Sequence, residues 1–115
     1  MEPESDSTFS CTVDQLGNDV RIAVTGEIDM LTALQLVRAF TRSGLVFDGI
    51  VFDLRGVTFF GSQGIAALLM ARELCGERDA VMSVKPSRVV ARVVALVRLT
   101  EALGVESQVG KSSSA

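Results

Sequence analysis

The chemistry open to this chain is concentrated in one hydroxyl. Ser62 stands in Phe59-Phe60-Gly61-Ser62-Gln63-Gly64-Ile65, where an apolar segment runs out into a turn and then enters an apolar helix. The first backbone N–H groups of a helix lack intrahelical partners, and a serine oxygen placed there can accept from one of them as an N-cap. The same hydroxyl can carry a phosphate, which brings roughly −1.5 to −2 charges at neutral pH and suits the positive end of the helix. The two roles are compatible. In the second, added charge acts at the surface against a docked partner, through repulsion and desolvation, without unfolding the domain. Gly61 and Gly64 lack side chains and leave room for a partner backbone to approach.

Other residues offer less. Glu27 and Asp29 form a carboxylate pair, but no further acid, base or nucleophile lies at catalytic spacing, so glycosidase-type chemistry is unsupported. Their simplest role is a loop that caps the first helix. Histidine is absent, which removes the usual general base and the usual zinc ligand. Gly56, Gly61 and Gly64 make no phosphate-binding loop, because no Gly-Lys-Ser/Thr follows them. Asp53, a lone charge in an apolar run, ends that run or pairs locally. Of Phe59 and Phe60, at least one belongs in the core, and an exposed one could anchor a partner. Arg72, Arg88, Arg92 and Arg98 read as solvated helix faces. Cys11 and Cys75 form no CxxC and read as reduced, buried thiols.

The elements that must position Ser62 follow from changes of hydrophobic period. Phe9, Cys11 and Val13 alternate with polar neighbours, as do Val20, Ile22 and Val24. With the turn signal Gly17-Asn18-Asp19 between them, they predict an antiparallel hairpin whose second strand ends at Gly26. Thr32 and Gln35 match a capping box. Leu36, Val37 and Phe40 continue that first helix, and Gly44 stops it. Ile50 to Leu54 is a central strand. Ser62 opens a second helix with the stripe Ile65, Leu68, Leu69 and Cys75, ended by Gly76. Val81 to Val84 is a short strand. Pro86 suits the first turn of a third helix, with Val89 or Val90, Val93, Leu96 and Val97 as its stripe. Leu99 to Val105 adds a short helix or an edge strand. Strands alternating with helices call for parallel crossovers. The expected fold is α/β, a small mixed sheet of four to five strands with helices mainly on one face.

The 115 residues fit one domain over 8–107, with loose ends at 1–7 and 108–115. An apolar fraction of 48% is enough for a packed core, and a net charge of −3 gives no electrostatic footprint for nucleic acid; a basic patch could only be local. Apolar runs are too short to span a bilayer. The N-terminus is acidic where a secretory leader would be basic, so the expected location is cytoplasmic, with no membrane contact.

Three blocks in order, Gly26-Glu27-Ile28-Asp29 with Thr32-Ala33, Phe52-Asp53-Leu54-Arg55-Gly56-Val57, and Ser62-Gln63-Gly64-Ile65, resemble the STAS-domain family of anti-sigma factor antagonists. Pro86 and the segment Val89 to Leu103 are similar to that family's last helix and terminus, so the resemblance covers about Phe9 to Val105. It implies a non-enzymatic switch with no cofactor of its own. Such a protein binds an anti-sigma factor that is also a serine kinase and thereby frees a sigma factor. The kinase, using ATP and magnesium, phosphorylates a serine at the strand-to-helix turn and breaks the complex, and a phosphatase resets it. The family pattern Asp-Ser-Ser/Thr-Gly places the acceptor at Ser62. It implies a partner-binding face of Glu27, Asp29, Thr32, Phe60, Gly61, Ser62, Gln63 and Gly64. Here Gly61 stands for the family's Asp and Gln63 follows the serine, so the acidic neighbour of the acceptor is missing. STAS-like domains also serve as binding subunits of transporter or stress-signalling assemblies, which is the alternative role.

Overall fold

In the computed structural model, which describes residues 9–42 and 45–107, the alternating apolar residues build one face of a four-stranded sheet. The elements run β1 (Ser10–Leu16), β2 (Asp19–Ile28), α1 (Met30–Thr41), β3 (Gly49–Phe60), α2 (Ser62–Glu77), β4 (Val81–Pro86) and α3 (Arg88–Leu96). Sheet order is β1-β2-β3-β4. β1 and β2 form the antiparallel hairpin, turned at Gly17 with φ +63°. β2, β3 and β4 are parallel neighbours joined through α1 and α2, as strand–helix alternation requires.

Register decides which side chains are dry. Val13, Ile22, Phe52 and Val84 share one row across the sheet. This face, with Leu36 and Phe40 of α1, Ala67, Leu68 and Ala71 of α2 and Val90 and Val94 of α3, makes a single apolar cluster. Phe40 and Phe52 meet edge-to-face at 5.8 Å, a favoured aromatic geometry. The expected α/β domain, with its helices packed chiefly on one face of a mixed sheet, is therefore what forms. The next row, Ala23, Asp53 and Lys85, points the other way. Asp53, 7% exposed, is paired there with Arg21 and Arg55, the local pairing expected of a lone charge in a strand. Hydrogen bonds from Arg55, and then from Arg21, hold its carboxyl well below the usual carboxylate range against the cost of burial.

Several boundaries differ from the sequence reading. β2 continues past Gly26, which takes φ +95° inside the strand, and ends at Ile28. α1 starts at Met30, not at a Thr32 cap. α2 buries Gly64, Ala67, Leu68, Ala71 and Cys75, while Leu69 is exposed, because Gly64-Ala67-Ala71 is the small face that lets the helix approach. Pro86 closes β4, and Ser87, not the proline, caps α3 by accepting from the Val90 N–H. Leu96 and Val97 lie exposed beyond the α3 stripe. Residues 99–105 form turns that bury Leu103 and add one parallel bridge, Val84 to Val105, beside β4. Both cysteines are free thiols, Cys75 buried and Cys11 only partly so, and burial raises the pKa of each. The expected ends at 1–7 and 108–115, and the stop at Gly44, lie outside the described residues. Among those residues no helix is long and apolar enough to cross a membrane.

Candidate functional site

Ser62 reaches its position on a strand longer than its neighbour. β4 pairs with β3 only as far as Leu54, opposite Pro86. β3 runs on to Phe60, paired with β2 through two register shifts, where Ala23–Thr25 spans Asp53–Gly56 and Gly26–Glu27 spans Val57–Phe59. Each shift inserts an extra β3 residue, a bulge. The buried series therefore becomes Leu54, Val57, Phe60, a spacing of three that no regular strand produces. A sequence reading based on alternation stops at Leu54 for this reason.

One residue, Gly61, links β3 to α2. Its N–H donates to the Ile28 carbonyl at 3.2 Å, which ties the start of α2 to the end of β2. Gly61 is the N-cap of α2 and supplies no side-chain cap. Ser62 is the first helical residue, exposed, and its hydroxyl lies 3.3 Å from Gln63 Oε1. Its oxygen is thus not the cap that sequence position suggested; the cap position falls one residue earlier.

Beside it, α1 begins with the opposite arrangement. Asp29 is the N-cap, and its Oδ1 accepts from the N–H groups of Leu31 and Thr32, both at 3.0 Å. Thr32 Oγ1 accepts from the Asp29 N–H at 2.8 Å and donates to the Glu27 carbonyl at 2.7 Å. This is a capping box with Thr32 in the third helical position. The Thr32 amide, then its hydroxyl, stabilise the Asp29 carboxylate and lower its pKa. Glu27 is exposed, one residue before the end of β2. Glu27, Asp29 and Thr32 are thus brought to the same sheet end as Gly61, Ser62 and Gln63, through the Ile28–Phe60 register pair.

Two residues of the expected face are inside. Phe60 is 3% exposed, and Gly64 is buried on its ring: a Cβ at Gly64 would overlap Phe60 Cε1. They shape the turn from inside. Phe59, 50% exposed, is the aromatic that faces solvent. Sequence reasoning also missed an apolar surface next to Ser62. Met30, Leu31, Leu34 and Met70 are exposed, and a groove of about 240 Å³ runs between α1 and α2 with Gln63 and Ala66 on its wall. The available signal was that Met30, Leu31 and Leu34 are apolar yet fall off the Ala33-Leu36-Phe40 stripe. Contiguous exposed apolar side chains of this kind mark interaction surfaces.

Comparison with known proteins matches residues 11–105 to the family model described as Mlab, STAS domain. No curated protein matches the chain significantly. Solved structures similar in fold include the following three. An anti-sigma factor antagonist from Mycobacterium paratuberculosis is 22% identical with TM-score 0.75, covering 97% of each chain. The anti-sigma factor antagonist SpoIIAA in its unphosphorylated form is 19% identical with TM-score 0.65, covering 86% of this chain and 90% of that one. An antisigma-factor antagonist STAS domain from Rhodobacter sphaeroides is 22% identical with TM-score 0.52, covering 72% and 89%.

Proposed function

We propose that this chain, which belongs to the STAS-domain family, is an anti-sigma factor antagonist: it binds an anti-sigma factor serine kinase, so releasing a sigma factor, and is switched off when Ser62 is phosphorylated. The observation that carries the reading is an exposed serine at the first position of α2, bordered by exposed apolar side chains of α1 and α2. The docking face comprises Glu27, Asp29, Phe59, Ser62, Gln63 and the Met30-Leu34-Met70 groove, with Phe60 and Gly64 as its support and Thr32 holding the cap.

The mechanism needs no catalysis by this chain and no cofactor in it. The partner kinase supplies ATP and magnesium and transfers the γ-phosphoryl group to Ser62 Oγ; the bond from the γ-phosphorus to the bridging oxygen breaks, ADP leaves, and the hydroxyl proton goes to the kinase's base or to solvent. The product carries about −1.5 to −2 charges beside Glu27 and Asp29. A partner surface that had covered this end must then desolvate a dianion among like charges, and the complex opens. A phosphatase restores the hydroxyl. On this reading the protein acts in the cytoplasm with its partner.

The test is affinity capture from the native cell with wild-type and Ser62→Glu chains, followed by incubation with the recovered kinase and ATP. The expected result is loss of the kinase by Ser62→Glu, more than about tenfold, and a phosphosite at Ser62 that is absent in Ser62→Ala. Recovery of a transporter ATPase in place of a sigma-regulating kinase would instead favour a binding subunit of a transport assembly.

A further inference from the structure

We infer that a second site, formed where β4 meets α3, binds a small phosphate-bearing ligand. It lies about six residues of strand from Ser62, roughly 15–20 Å, and shares no residue with the docking face. A concavity of about 420 Å³ is lined there by Arg55, Lys85, Ser87, Arg88, Glu106 and Ser107. Arg55, Lys85 and Arg88 meet Glu106 there, and Asp53 behind Arg55 is shared with Arg21, so four cations stand against two carboxylates in a chain whose net charge is −3. Among the described residues, neither Lys85 nor Arg88 has a carboxylate within ion-pair distance. Like charges gathered on one concavity repel, and a bound dianion is what turns that repulsion into attraction.

The arrangement is built and not merely a solvated fringe. Buried Asp53 accepts from Arg55 Nε at 2.9 Å and Nη2 at 2.8 Å. This fixes the guanidinium plane and leaves Nη1 unbonded to Asp53, on the fork that matches phosphate oxygens. Lys85 is the register partner of Asp53 on β4 and is partly buried, so its stem starts from the same sheet face as Asp53. Glu106 is pinned by its N–H, which donates to the Val84 carbonyl at 2.9 Å. Its carboxylate opposes the anion and limits affinity. The volume exceeds that of a single ion and suits a small phosphate ester.

The experiment is an amide ¹H–¹⁵N titration of the full chain with inorganic phosphate and, separately, with AMP, at low constant ionic strength held with chloride. Saturable shifts centred on Lys85, Arg88 and Glu106 are expected. Lys85→Ala/Arg88→Ala should weaken binding at least about tenfold, and Glu106→Gln should tighten it severalfold, a gain that misfolding cannot mimic. AMP binding more tightly than phosphate would extend the site to the ester. Three results would each overturn the inference: no saturable shift below about 20 mM, shifts that Lys85→Ala/Arg88→Ala leaves unchanged, or shifts centred on Ser62–Gly64.

Discussion

The starts of α1 and α2 lie side by side, joined by the Gly61–Ile28 hydrogen bond, yet they are built in opposite ways. At α1 the first-turn donors meet Asp29, and Thr32 returns the favour to the Asp29 backbone. At α2 no side chain caps the helix, and its start is held by packing, with Gly64 seated on Phe60. One helix start is closed by side chains. The other keeps its polar end open around Ser62. Two equivalent positions in a sheet can thus divide the work: one anchors, and its neighbour presents.

This contrast can be broken in order of effect. Gly64→Leu puts a side chain into the Phe60 ring, and overpacking costs about 1–3 kcal/mol; on a chain of this size we expect Tm to fall by about 5–15 °C, read by thermal circular dichroism. A smaller drop would mean that packing does not hold α2. Asp29→Ala should lower Tm by about 5 °C, the range for a lost cap in a small domain, and Thr32→Ala should fall between it and wild type. Acid should act on the same side. Because the Asp29 carboxyl is held below its unfolded value, its contribution is complete above the ordinary carboxylate range and is lost as pH falls through the lowered value. Between about pH 5 and pH 2, the protection of the Leu31 and Thr32 amides, taken relative to their intrinsic exchange rates at each pH, should fall while that of the first turn of α2 does not, and the difference should vanish in Asp29→Ala. The smallest effect belongs to Gly61→Asp. Gly61 has φ −95°, and a Cβ there would meet ordinary contacts, Phe59 Cε2 at 3.4 Å being the nearest. The new carboxylate can cap α2, so Tm should rise by about 2 °C. A fall in Tm would show that the open start depends on glycine itself.

Much of the fold was legible because period and burial agree. The β1–β2 hairpin and the Ile50–Leu54 strand follow from which residues face the core. The misreadings have physical causes. Asp29-Met30-Leu31-Thr32 and Thr32-Ala33-Leu34-Gln35 are both four-residue capping patterns, and only the tertiary path from Ile28 decides which one starts the helix. Phe59 and Phe60 are equivalent neighbours in sequence; the two bulges cancel in parity, so plain alternation from Leu54 also selects Phe60, and what the bulges bring inward is Val57. Leu69 follows a helical period in composition but loses the core to the small residues Gly64, Ala67 and Ala71. The placement of Ser62 could be read from its neighbours, whereas the apolar groove beside it needed α1 and α2 in contact.

The second bulge of β3 turns on a single extra residue. Thr58 falls between Val57, the partner of Gly26, and Phe59, the partner of Glu27, so removing it would let Val57, Phe59 and Phe60 pair in regular succession with Gly26, Glu27 and Ile28. Phe60 would stay inward, and what would be lost is the local bend and added twist with which β3 delivers Ser62. Exposed Thr58 can therefore be exchanged for another strand-forming residue, because its contribution is the direction of the chain and not a contact in the core.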